Sequence, residues 1–120
     1  MPADRAAADA KLVAERLATL ADDTGMTTGE LQDMWLAETA ERLELAVNAL
    51  AAGDLSEVVR LVHSAAGTTG ICGAAELAQD LTNLEHLAAA GRADDAQRAL
   101  GSARVEFGLL TSVLHGGLRH

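Results

Sequence analysis

His63 is the residue whose type and setting point most directly to chemistry. It lies in RLVHSAAGTTGICGA, residues 60–74, where nearly every other side chain is small. An imidazole titrates near ~6.5, so at cellular pH an accessible histidine is largely neutral and one ring nitrogen is a ready nucleophile. On a helical wheel Val58, Val62, Ala65, Thr69 and Cys72 recur at spacings of 4, 3, 4 and 3 and form a buried stripe. His63 falls about 100° away from Val62, off that stripe. Gly67 and Gly70 follow on or near its face, then Gly73. A glycine costs up to ~1 kcal/mol against alanine inside a helix, so the run needs a reason. Close approach of another molecule to the imidazole is one reason; tight packing against a neighbouring helix is the other. Other chemistries find less support. His63, Cys72, His86, His115 and His120 are possible metal donors, but no two form a recognised ligand pair on one helix face. Cys72 lies on the buried stripe, which suits a packed thiol rather than a nucleophile.

Helices must position these residues. The chain has 120 residues, 49% of them hydrophobic, yet only one Phe, one Trp and no Tyr, so Leu, Ala and Val must fill the core. With one Pro and few β-branched runs, this composition predicts an all-α fold. Five helices are expected. The first runs from about Ala3 to Ala21, with Leu12, Leu17 and Leu20 as its apolar stripe and Val13 nearby. The second starts at Thr28 and runs to about Ala52, with Leu36, Leu43, Val47 and Leu50 facing the core and Gly53 closing it. The third is capped by Asp54, with Glu57 in capping-box spacing, and ends near Cys72–Gly73. The fourth runs from Ala74 to about Ala90 on Leu77, Leu81, Leu84 and Leu87. The fifth covers about Ala93 to Leu114, with Ala96, Leu100, Val105, Phe107, Leu110 and Leu114 as core, before a fraying HGGLRH tail. The connectors near residues 53, 73 and 91 are short, which forces antiparallel neighbours. The expectation is an up-down-up-down four-helix bundle, core about 29–115, with an additional N-terminal helix on one end or side, all within a single domain spanning 1–120.

Composition also excludes partners. A formal net charge of −9 argues against nucleic acid and against anionic membranes. Nothing approaches the ~20 apolar residues of a membrane span, and the N-terminus does not read as a secretory signal. One cysteine excludes an internal disulfide and fits a reducing, cytoplasmic setting. No surplus apolar face stands out, so a monomer is expected, and the ends of the chain suggest a freestanding protein.

The stretch around His63 resembles the motif of histidine phosphotransfer (HPt) domains, H-x-x-K-G-[ST]-[ST]-x-x-x-G-[AL]. The matching residues are His63, Gly67, Thr68, Thr69, Gly73 and Ala74. The lead-in ALAAGDLSEVVRLVH and the following AAELAQDLTNLEHLAAAG, with its Leu84–Glu85 pair, are similar to the family as well, and the likeness covers about residues 33–110. It implies a phosphoryl carrier without catalytic turnover: His63 accepts the group from a receiver aspartate or a kinase and passes it to another receiver. Partners would be receiver domains of response regulators or hybrid histidine kinases. No cofactor of its own is implied, Mg²⁺ being supplied by the partner receiver. One position departs from the pattern, because Ala66 stands where the family has lysine. Arg60, one turn before His63, is expected to substitute in part and, with Arg42, to soften an acidic docking face. Ser64 and Thr68 are close enough to the histidine to bond the ring or phosphoryl oxygens, and Gly67 and Gly70 leave the face open. Glu85 is read as surface charge rather than as a partner of the imidazole. Met34 can offer apolar contact, and Trp35 is assigned to the core. The alternative is a degenerate HPt-like bundle that docks receivers without being phosphorylated.

Overall fold

Helix ends are set by local chemistry that the chain spells out. The structure, a computed structural model, describes residues 2–116. It contains α1 (Pro2–Thr24), α2 (Thr28–Ala51), α3 (Leu55–Ile71), α4 (Ala75–Ala89) and α5 (Ala93–Leu114). α2 opens with a full capping box: Thr27 Oγ1 accepts from the Glu30 N–H at 3.0 Å, and the Thr27 N–H donates to Glu30 Oε1 at 3.0 Å. The cap is therefore Thr27, one residue before the expected start. Asp54 caps α3 by accepting the Glu57 N–H at 3.2 Å. The reciprocal half of that box is absent, because the Glu57 side chain pairs with Arg60 instead. α1 is longer than its apolar stripe suggested, and α4 starts one residue later, with Ala74 at its N-cap.

The short turns make α2, α3, α4 and α5 run alternately up and down, with α3 packed on both α2 and α4 and α5 closing on α4. α1 packs mainly on α5 and also reaches α2 and α4. One continuous core joins all five helices, built on Val13, Val58, Val62, Leu77, Leu81, Leu84 and Leu110. Trp35 is 2% exposed, and its Nε1–H donates to Thr69 Oγ1 at 3.3 Å, which satisfies both polar groups inside the core.

Two expected core positions lie outside it. Leu12 is 45% exposed and Val105 is 61% exposed. In each case the true stripe runs one residue out of phase. α1 buries Ala6, Asp9, Val13 and Leu17, and α5 buries Ala96, Leu100, Ala103, Glu106 and Leu110. Both stripes include an acid, so hydrophobicity alone misplaced them. The expected tail begins as a turn that closes α5 at His115 and Gly116; residues 117–120, with His120, lie outside the described part. Among the described residues, no helix is long and apolar enough to cross a membrane.

Candidate functional site

α3 carries its apolar stripe inward, which turns His63 outward near the middle of the helix. The side chain is 76% exposed. It is not free to rotate, however. α4 runs antiparallel beside it and brings Glu85 opposite, so that His63 Nδ1 lies 3.1 Å and 3.0 Å from the two carboxylate oxygens. A carboxylate only accepts, so Nδ1 carries the proton and donates it. That leaves Nε2 with its lone pair in the neutral ring, facing solvent. Glu85 itself is 20% exposed, held against the bundle rather than waving from it. The expectation that Glu85 is mere surface charge is thus corrected. The pair joins residues 22 apart in sequence, and only the register between two antiparallel helices reveals it.

The three glycines of the run turn out to have three different settings. At Gly67 an added Cβ would meet nothing within 4 Å. Packing inside the chain therefore does not explain this glycine, and the open face beside the imidazole stands. At Gly70 a Cβ would meet only Ala78 Cβ at 3.8 Å, an ordinary contact. At Gly73 the backbone is left-handed, with φ 98°, and a Cβ would lie 2.9 Å from the Leu12 carbonyl oxygen of α1. Packing does explain that glycine.

The other expected site residues divide. Arg60 is exposed, but its guanidinium is tied one turn back to Glu57, with Nη2 at 2.9 Å from Oε2. This pair holds the Glu57 carboxyl below its ordinary range and raises Arg60. The Thr68 hydroxyl donates to the Ser64 carbonyl at 3.1 Å, so it is engaged with its own helix rather than with the ring. Ser64 and Ala66 are half-buried on α3, and Ala66 offers no charge. Arg42 lies on α2 and pairs loosely with Glu38 at 3.6 Å. Met34 is exposed and Trp35 is not.

Sequence reading passed over Ile71. It is 60% exposed, and it lies two turns beyond His63 with Gly67 between them, at steps of four residues. The helical wheel could have shown this, since such steps stay on one helix face. Cys72 is buried, and burial pushes its thiol up, which suits a packed residue. Among the described residues, no group of three or more His, Cys, Asp or Glu side chains is placed to hold a metal ion.

An exposed imidazole with one nitrogen held by a carboxylate and the other free is suited to accept and release an electrophile. A glycine beside it lets a second protein approach closely. Compared with known families, residues 30–116 match the model of the Hpt domain. No curated protein and no solved structure matches the chain. The family match takes in α2 through α5 and includes both His63 and Glu85. On that match the chain belongs to the Hpt domain family, the histidine phosphotransfer modules of phosphorelays.

Proposed function

We propose that His63 is the phosphoacceptor, and that the chain takes a phosphoryl group from a receiver aspartate or a kinase and delivers it to another receiver. The observation that carries this reading is the His63–Glu85 pair, with Nδ1 held at 3.0 Å and Nε2 open to solvent. In the step, the Nε2 lone pair attacks phosphorus, the P–O bond to the donor aspartate breaks, and the carboxylate is returned to the receiver. The Nδ1 proton stays in place, and the Glu85 carboxylate faces the positive charge that develops on the ring. Mg²⁺ and the acidic residues that bind it belong to the partner receiver, and the carrier needs no cofactor of its own. It acts as a cytoplasmic monomer. Gly67, Gly70 and Ile71 form the ground on which a receiver sits, with Met34 of α2 contributing apolar surface. Arg60 leaves Glu57 to reach phosphoryl oxygens; their ion pair is exposed and screened by solvent, so it is readily exchanged.

Incubation with phosphoramidate, followed by intact mass, tests the reading without any partner. One acid-labile, alkali-stable phosphoryl group is expected, and His63→Gln should abolish it. Arg60→Ala should shorten the lifetime of the adduct; an unchanged lifetime would remove Arg60 from the account. No labelling of the wild-type chain, under conditions that load another Hpt domain, would favour a docking bundle that is never phosphorylated. Ala66, in the place of the usual lysine, would then be the first residue to suspect.

A further inference from the structure

α1 lies outside the family match, but one of its faces is devoted to the turn that joins α3 to α4. Arg5, Asp9, Leu12 and Arg16 follow at steps of three or four residues and so share that face. Ala74 at the N-cap of α4 has no side chain to cap with. Asp9 supplies the cap from α1: its two carboxylate oxygens accept the N–H groups of Glu76 and Leu77, each at 3.0 Å. At the other side of the turn, Arg16 Nη1 donates to the last α3 carbonyl, Ile71 O, at 3.4 Å. Between them Gly73 lies against the Leu12 carbonyl.

The anchor of this helix is a knot of charge drawn from three helices. Arg5 Nη2 bonds both oxygens of Asp80 at 3.0 Å and lies 3.0 Å from Glu76 Oε2, while its Nη1 lies 2.9 Å from Glu106 Oε1. The last contact is close but is not a well-formed hydrogen bond, and Glu106 Oε1 is left buried without one. Glu106 faces Arg5 and Asp9 from α1 and Asp80 from α4; Glu76 reaches the knot through Arg5, and Arg98 and Ser102 of α5 line the adjoining groove of about 730 Å³. One guanidinium thus serves three carboxyl groups, Glu76, Asp80 and Glu106. The Glu106 side chain is only 10% exposed, so its negative form is poorly solvated.

We infer that α1 is a proton-sensitive clasp on the α3–α4 turn, shut when the Glu106 carboxyl is neutral and loosened when it ionises. Burial, aided by the neighbouring Asp80 carboxyl and opposed by Arg5, pushes Glu106 up to about 7. In the open form Glu106 is solvated and returns to the ordinary carboxylate range. The closed form therefore holds the proton more tightly, and closure weakens as pH rises from that range to about 7. One such proton makes opening about tenfold easier at pH 8 than at pH 6.

Hydrogen exchange of the full chain tests this at the Glu76 and Leu77 amides, which Asp9 caps. Their protection factors, corrected for intrinsic exchange, should fall about tenfold between pH 6 and pH 8, and should lie below those of Val62 and Ala65 in the core. In Glu106→Gln they should not change with pH. A wild-type protection that is flat over this range overturns the inference, as does protection equal to that of the core, since then α1 does not open on its own. Should Glu106→Gln fail to fold, carbon-13 NMR of the wild-type Glu106 carboxyl decides. A midpoint near 7 supports the clasp and an ordinary carboxylate midpoint ends it.

Discussion

At the residue scale, the account turns on two neighbours of His63 that act in opposite ways. Glu85 restricts the ring, and Gly67 leaves the space beside it empty. The second has a separable consequence. Gly67 lies inside α3, and a Cβ there meets nothing, so Gly67→Ala should stabilise the fold by up to ~1 kcal/mol, read by thermal or urea denaturation. Gly67→Gln fills the same space with a longer side chain. It should leave phosphoramidate labelling of His63 intact, because that donor is small, while slowing transfer from a phosphorylated receiver on the order of tenfold. Slowing of both reactions alike would mean that Gly67 acts on the histidine rather than on docking. Of this site, the histidine and the glycines were legible in sequence, since each is a matter of type and local spacing, and the missing lysine was legible only against the motif the stretch resembles. Glu85 as a partner was not, because its place opposite His63 depends on how α4 slides along α3.

At the element scale, the five helices were legible from composition, caps and short turns, and their ends shifted by only a few residues. Thr27 rather than Thr28 caps α2 because its hydroxyl and its N–H can both be satisfied by Glu30. The errors were of phase, at Leu12 and Val105, where Asp9 and Glu106 occupy inward positions that a hydrophobic stripe does not forecast. The α3–α4 turn is where sequence and packing constrain each other most. Gly73 combines φ 98° with a contact that leaves no room for a Cβ against Leu12. Gly73→Ala should therefore cost at least about 2 kcal/mol, as strained backbone and as displacement of α1. Chemical denaturation would measure it, and a loss below about 0.5 kcal/mol would show that α1 yields there easily.

At the scale of the whole molecule, a chain of net charge −9 leaves a run of small and apolar residues, Gly67, Gly70 and Ile71, exposed on the helix that carries His63. Part of the acid is drawn into the α1 knot, where a buried carboxyl makes the fold responsive to protons near neutrality. That α1 works as a clasp was not legible in sequence, because its partners lie about 70 residues away along the chain. The relay itself rests on which ring nitrogen is offered. The most direct measurement is nitrogen-15 NMR of the phosphorylated chain, labelled at histidine, to locate the N–P bond. The account predicts a single adduct at Nε2 of His63, with Nδ1 still protonated and facing Glu85. An adduct at Nδ1, or on His86 or His115 instead, would contradict it.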